Sequence, residues 1–344
     1  MKKYKVIKIG SKLLKENNNK TYVIAEAGVA HFGNLDKGKK LIDLAAKSGA
    51  DAVKFQAYQT EDLVDSNYSA WFKRYKSKEV SIEFFKKLKK YSQKKKIEFL
   101  LTPHTESTIS FIKKLNIPII KVGSGEIGNF IFLKKLIRLK LPIIISTGMH
   151  EYKDLIKLKN FFRKYKFDKV IFMKCISLYP TKINGINLKN FEFFKNIFKD
   201  YFVGYSDHTD HDKAIIGSIF MGARVVEKHI ALDFNVKNAQ DWKVSFNLRK
   251  MSSMITNIRN IEKILGQKQI LISNQEKKSI IWATRSIYAK NDLKVGDKIK
   301  EKNIKFLRPG KYLKCSNFSK YKNLKLKKFV KKNQPIKLTD IEKI

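Results

Sequence analysis

The stretch VGYSDHTDHDKAIIGSIFMGARVVEKH, residues 203–229, decides how the whole chain is to be read. It opens inside a short apolar run, YFVGYS from Tyr201, and passes through a polar turn carrying two histidines and three aspartates. It continues in HDKAIIGSIFMG, whose apolar residues recur at spacings of three and four, and closes on ARVVEK from Ala223, followed by His229. A period of two, then one of 3.6, then two again marks a strand, a helix and a second strand parallel to the first.

Outward from this unit the same alternation recurs. The remaining strand candidates are YVIAEA from Tyr22, DAVKFQ from Asp51, IEFLL from Ile97, PIIKVG from Pro118, PIIIS from Pro142 and KVIFMK from Lys169, which makes eight in all. Between them lie amphipathic patterns such as LDKGKKLIDLAAKS, IEFFKKLKKYSQKK, FIFLKKLIRL and YKDLIKLKNFFRKY. Eight such alternations close into an α/β fold, the eight-stranded parallel β/α (TIM) barrel, whose active site lies at the C-terminal strand ends. An open doubly wound sheet would need a glycine-rich phosphate fingerprint after the first strand, and none stands there.

Two departures from the repeat follow. Residues 57–80 form a long insert with Tyr58, Tyr68, Trp71, Phe72 and Tyr75, of the kind that shapes a substrate pocket or an interface. From about Thr284 the pattern changes to short strands and turns at Asn291-Asp292 and Gly296-Asp297. The expected organisation is a barrel domain over residues 1–266, a polar linker over 267–283 and a small mostly-β domain over 284–344.

The 344 residues, 43% apolar with 24 phenylalanines, suffice for a large core, and the apolar runs are too short to span a bilayer. The basic start, MKKYKVIKIGSKLLKENNNK, lacks an apolar core and a small-residue cleavage site, which leads us to expect a cytoplasmic protein. Two distant cysteines, Cys175 and Cys315, agree with that compartment. The formal charge of +42 invites a nucleic-acid reading, but the lysines are spread over the polar faces of almost every helix rather than gathered in a stripe. Such a field draws anionic small molecules inward, so the expected partners exclude nucleic acid and membrane.

The histidines follow apolar runs, which suggests one shared face, although His211 reads as a capping or surface residue on the helix side and His104 and His150 stay open. Polar residues crowd the same strand ends, among them Glu26, Gln56, Thr102, Ser146, Ser177, Asp207, Glu227 and Lys228. A lysine within a strand is costly unless it meets a polar pocket, so Lys54 and Lys121 are candidate ligands for a phosphate or carboxylate, or else members of structural ion pairs. Ser124 and Ser146 supply hydroxyls beside them. His208 and His229 end neighbouring strands and could hold a divalent metal, serve as general acid or base, or hydrogen-bond as structure.

At these residues the chain resembles the sialic acid synthase family, enzymes that condense phosphoenolpyruvate with amino sugars to give N-acetylneuraminic, legionaminic and pseudaminic acids. The resemblance runs through IAEAGVAHFGNL, GADAVKFQ, KVGSGEIGN, PIIISTGM, SLYP, VGYSDHT and VVEKH, and resumes in RSIYA and RPG. It implies Glu26, Lys54 and Lys121 as catalytic residues. Phosphoenolpyruvate would bind Lys54, Thr102, Lys121, Ser124, Ser146 and Ser177. Gln56, Glu126, Tyr179, Asp241 and Arg308 would place the sugar, and His208 and His229 a divalent metal, manganese before magnesium or cobalt. The terminal domain resembles the family's antifreeze-like (SAF) domain, which reaches over the partner's barrel in a domain-crossed homodimer and brings Arg308 to the neighbouring sugar.

The departures lie on the acceptor side. Ala30-His31-Phe32-Gly33 stands where the family has Asn-His-Asn-Gly, His104 where it has Phe, and Ala239-Gln240-Asp241 where it has Gly-Pro-Asp. They imply a different or modified amino sugar. Competing expectations are a synthase using a phosphorylated aldose, a Schiff-base aldolase on Lys54 or Lys121, and a non-catalytic barrel kept as an assembly partner.

Overall fold

The computed structural model describes residues 5–342, apart from 237, 238, 240 and 268. The chain divides into two compact units, residues 1–266 and 267–344.

The first unit begins with a hairpin, β1 (Val6–Ile9) and β2 (Lys12–Lys15), paired antiparallel. The barrel then follows in chain order: β3 (Tyr22–Gly28), β4 (Ala52–Ala57), β5 (Glu98–Pro103), β6 (Ile120–Val122), β7 (Ile143–Ser146), β8 (Val170–Cys175), β9 (Phe202–Asp207) and β10 (Val225–His229). All eight pair in parallel, and β10 closes back onto β3. Each sequence-derived strand has its counterpart. The opening unit folds as β9, a helix Lys213–Phe220 and β10.

Side chains alternate inward and outward along each strand, and the inward ones form two layers of opposite character. Ile24, Ala52, Leu100, Ile119, Ile144, Ile171, Phe202 and Val225 build an apolar lower layer. The hairpin supplies Ile7, Ile9 and Leu14 to the same cluster, so its alternating pattern seals the N-terminal end of the barrel. That hairpin was not read from the basic N-terminal sequence, because two four-residue strands among lysines give too few apolar positions to register. The outward side chains meet the helices in a second, larger core that includes Phe55, Phe85, Phe132, Phe162 and Phe172.

Two further elements lie where the sequence suggested irregular chain. The insert after β4 carries a helix, Ser69–Lys76, and the stretch expected to be a polar linker contains the helix Asn274–Ala283, capped by the Ser273 side chain on the Glu276 amide. In the second unit β11 (Ser286–Ala289) and β12 (Ile304–Leu307) pair antiparallel. Single bridges such as Leu293 to Val330 and Leu326 to Ile341 extend the pattern around a core of Ile287, Leu293, Ile299, Leu326 and Ile336. No described helix is long and apolar enough to cross a membrane.

Ile9 is fully buried in the plug, so Ile9→Ala should cost about 2–5 kcal/mol of unfolding free energy. Urea denaturation checks this, and a change of less than about 0.5 kcal/mol would show that the hairpin is not part of the barrel's cooperative core.

Candidate active site

Above the apolar layer the inward positions turn polar: Glu26, Lys54, Thr102, Lys121, Ser146, Cys175, Ser206 and Glu227 are all buried. Lys54 stands among three strands. Its ammonium lies 3.0 Å from Glu26 Oε2 and 3.3 Å from Glu227 Oε1, and donates to Thr102 Oγ1 at 3.2 Å. Lys121 donates to Ser146 Oγ at 2.7 Å and stands 3.6 Å from Glu227. Gln56 donates to Glu26 Oε1, and Ser206 to Glu227 Oε1.

Burial raises the Glu26 pKa and outweighs Lys54, with Glu227 adding to the rise. Burial also acts to raise Glu227, but Lys121 and Lys54 more than offset it and hold that carboxyl below its usual range. Two carboxyls about one lysine are thereby driven apart, Glu26 upward and Glu227 downward. Lys121 is lowered by burial against the pull of Glu227.

The serines gather beside this pair. Ser124 Oγ accepts from the Gly148 amide at 2.9 Å, and a Cβ on Gly148 would stand 2.3 Å from Ser177 Oγ and 3.1 Å from Ser124 Oγ. Only glycine lets the backbone amide and both hydroxyls converge. Gly28, at the end of β3, is required instead by its backbone conformation. It adopts φ +53°, and a Cβ there would lie 3.4 Å from Glu26 Oε1 and 3.6 Å from Asp241 Oδ2.

Over the mouth opens a cavity of about 320 Å³. Gln56, Tyr179, His229 and Asp241 form its deep side, and Tyr58, Trp71 and Tyr75 of the insert line another wall. Tyr68 and Phe72 of that insert do not line it. Ala30 and Phe32 border the cavity as well. Phe32 sits at φ +47°, a left-handed conformation that asparagine tolerates better than phenylalanine. Lys37 and Lys78 each stand 5.5 Å from the Phe32 ring centroid, contacts that offset part of that cost.

His208 and His229 face each other with ring centroids 5.3 Å apart. His208 Nδ1 is 2.7 Å from the Ile176 carbonyl, which sets Nδ1 as the protonated nitrogen and leaves Nε2 with its lone pair, here taking the Tyr179 hydroxyl at 2.8 Å. Burial and His208 keep His229 neutral. Burial acts to lower His208 too, but Cys175 and the Ile176 carbonyl more than offset it and raise that imidazole, so a divalent metal held by the pair would take the place of the proton at Nε2. Among the described residues no three His, Cys, Asp or Glu side chains gather as ligands, so the other positions would fall to water and substrate.

The six histidines do not share one face. His31 is fully buried between Phe55 and Phe84, its Nδ1 accepting from the Gly33 amide and its Nε2 without a partner among the described residues. Half-buried His104 lies beside the lysines, close under Gly123. His211 packs against the Thr209 hydroxyl outside the mouth, and His150 against Gly148 O. Asp207 and Lys228, expected on the rim, pair at 2.6 Å on the outer side of their strands, because alternation turns them away from Ser206, Glu227 and His229. Glu126 accepts from Asn129 and does not wall the cavity. Arg308 belongs to the second unit, where its guanidinium lies 5.9 Å from the Trp282 ring. Gln240 lies outside the described residues.

Sequence reasoning gave Glu227 no role, although the inward register Val225, Glu227, His229 carries the signal. It also passed over Cys175, whose sulfur is 3.6 Å from His208 Nδ1.

Burial, with Lys78 near one and Lys54 and Lys121 near the other, lowers His31 and His104 to about 4. In the unfolded chain both titrate near about 6.5, so between these values the unfolded state binds more protons. Stability is therefore full above about 6.5 and lost as pH falls toward 4. Urea midpoints should drop from about pH 7 to about pH 4.5, and His31→Gln should reduce the slope; a pH-independent wild-type midpoint would contradict it.

The comparisons with known proteins fit this geometry. A model of the NeuB family matches residues 41–270, and one of the SAF domain matches residues 284–342. An uncharacterised protein of Methanocaldococcus jannaschii is 37% identical over 93% of this chain and 94% of its own. The N,N'-diacetyllegionaminic acid synthase of Campylobacter jejuni is 33% identical over 88% of this chain and 94% of its own. Among solved structures, the N-acetylneuraminic acid (sialic acid) synthetase of Leptospira borgpetersenii, in complex with citrate, superposes with a TM-score of 0.75 at 30% identity, covering 80% of this chain and 95% of that one. With its closed parallel barrel and its C-terminal SAF domain, the chain belongs to the NeuB family.

Proposed function

We propose that this chain is a transferase that joins the enol carbon of phosphoenolpyruvate to the aldehyde of an N-acetylated amino hexose, N-acetylmannosamine-like or diacetamido, releasing a nonulosonic acid and phosphate. The observation that carries the reading is the pair of buried lysines, Lys54 and Lys121, ringed by hydroxyls and set below an aromatic cavity. Relatives named for sialic-type acid synthesis support it.

In this reading Lys54, Lys121 and the hydroxyls of Thr102, Ser124, Ser146 and Ser177 take the carboxylate and phosphate of phosphoenolpyruvate. Gln56, Tyr179 and Asp241 hold the open-chain sugar so that its aldehyde carbon meets the enol carbon. As the bond forms, the aldehyde oxygen gains a proton and the former enol carbon becomes an oxocarbenium centre. Water adds there, and the C–O bond to phosphate breaks as phosphate departs with the electron pair. Glu26, kept above the usual carboxylate range, is placed to carry one of these protons, while Glu227 stays ionised opposite the developing positive charge. A divalent ion, manganese before magnesium or cobalt, would be held by His208 and His229 and would polarise the aldehyde oxygen. The proposal extends to a cytoplasmic homodimer in which Arg308 meets the sugar of the second subunit.

The test is phosphate release from phosphoenolpyruvate with N-acetylmannosamine, its 6-phosphate and diacetamido hexoses, each with manganese and with chelator. Release should require one acceptor and the metal, and Lys121→Met should lower kcat/KM by roughly a hundredfold or more. Gly148→Ala, which crowds Ser124 and Ser177, should raise the KM for phosphoenolpyruvate about tenfold. If no acceptor supports release and calorimetry detects no phosphoenolpyruvate binding, the barrel is not a synthase.

A further inference from the structure

Strand β5 carries a polar side chain one layer above the floor of the mouth. Its inward positions are Leu100 in the apolar layer and Thr102 in the polar one. The strand ends at Pro103, yet the His104 amide still donates to the Ala57 carbonyl at 2.9 Å, one further rung of the ladder with β4. The alternation therefore runs on by one residue and turns His104 inward, above Thr102. Its electrostatic coupling to both Lys54 and Lys121 agrees with that position.

On the β6 side the neighbour is Gly123, two residues beyond Lys121. Gly123 adopts φ −73° and ψ 161°, extended backbone open to any residue, so its conformation does not call for glycine. What the missing side chain provides is room: a Cβ would stand 3.3 Å from His104 Cε1 and 3.9 Å from Nδ1. Cε1 is the carbon between the two ring nitrogens, so the imidazole turns its polar edge toward the turn that carries Ser124. A histidine kept for structure has its nitrogens satisfied, as His208 has with the Ile176 carbonyl and the Tyr179 hydroxyl. Neither ring nitrogen of His104 has a hydrogen-bond partner among the described residues.

The surroundings lack an acceptor for this ring. Lys54 and Lys121 offer only donors, and Glu26 and Glu227 are engaged with them in the layer below. Thr102, Ser146 and Ser124 each already accept a bond, from Lys54, Lys121 and the Gly148 amide. This side of the mouth offers hydrogens rather than lone pairs, and the group that completes it is an anion with several oxygens.

On the basis of the synthase reading above, we propose that His104 is a further residue of the donor site, giving a hydrogen bond from its imidazole to the phosphate of phosphoenolpyruvate. The phosphate, rather than the carboxylate, is matched to Lys121, Ser124 and Ser146 because its terminal oxygens use the larger set of donors, and the imidazole edge is turned to that set. A neutral ring, kept so by burial and the two lysines, still carries one N–H to give. The phosphate gains charge as its C–O bond breaks, so a bond to it strengthens toward the transition state.

The full chain is compared with His104→Phe, which keeps a ring and loses both nitrogens, and His104→Gln, which keeps a donor. Calorimetry measures phosphoenolpyruvate, and inorganic phosphate is measured by its competition with phosphoenolpyruvate, which sets aside anions drawn elsewhere on a +42 chain. His104→Phe should weaken both about tenfold, and His104→Gln should keep part of the affinity. In the phosphate-release assay the loss should fall on kcat and on the KM for phosphoenolpyruvate, with the acceptor KM within about twofold of wild type. Nitrogen NMR of labelled histidine puts the same question to the wild type: the ring signals absent from His104→Gln should move when phosphoenolpyruvate is added. His104→Phe that binds both anions as wild type does, weakened phosphoenolpyruvate with unchanged phosphate, or His104 ring signals that stay in place overturns the assignment, and acceptor-dependent phosphate release by wild type then leaves the synthase reading standing. Wild type that neither binds phosphoenolpyruvate nor releases phosphate overturns both.

Discussion

The barrel's upper half depends on a lysine that cannot stand alone. Removing an ammonium from water costs several kcal/mol, and the loss is offset only where partners meet it at close range. Lys54 has those partners because parallel pairing sets Glu26 against it across β3 and β4, and because closure of β10 onto β3 brings Glu227 round to its other side. A slip of one residue in β4 would turn Lys54 out among Phe85 and Phe99, leaving Glu26 without its lysine and Glu227 with Lys121 alone. The register of the sheet and the chemistry of its mouth are thus one constraint, imposed by a single buried charge. The apolar layer below supplies the dry surroundings in which that constraint is severe.

The same burial gives the site its working asymmetry. Lys54 and Lys121 face Glu26 and Glu227, so the four groups are close to balance when all are ionised. Glu227, touched by both lysines, keeps its charge. Glu26 meets one lysine and the amide of Gln56, and burial tips it toward the protonated form. With Glu26 shifted upward, the balance of the pocket leans toward positive charge. Lys121 is held differently, by Ser146 at 2.7 Å, by the Val122 carbonyl at 3.2 Å and by Glu227 only at 3.6 Å.

What the sequence disclosed follows from how local each signal is. Eight strands were legible because every one carries the same apolar run before a polar residue, and Lys54 and Lys121 stood out because a charge within such a run demands a reason. The hairpin at Val6–Lys15 and the helix at Asn274–Ala283 escaped because they are short and lysine-rich, and their packing partners lie far away in sequence. Histidine position misled for a related reason. Following a strand fixes which end a residue occupies, but not whether it turns into the mouth like His229 or outward into an aromatic nest like His31. For β10 the alternation of two resolves this question. For His31, beyond the bulge at Gly28, no period remains to be read.

Floor and wall of the site are accordingly built by different rules. The floor comes from strands, where charged side chains pair across neighbouring strands and exchange of one strands its partner. The wall comes from loops and from an insert whose helix packs through Tyr58 and Tyr75 and leaves Trp71 65% exposed. Substitution there disturbs neither the ion network nor the sheet register. That is where Ala30, Phe32, Arg74 and Lys78 line the cavity. A barrel organised in this way can keep its floor fixed while its wall changes, because the energy that specifies the fold is concentrated in the floor and is absent from the wall.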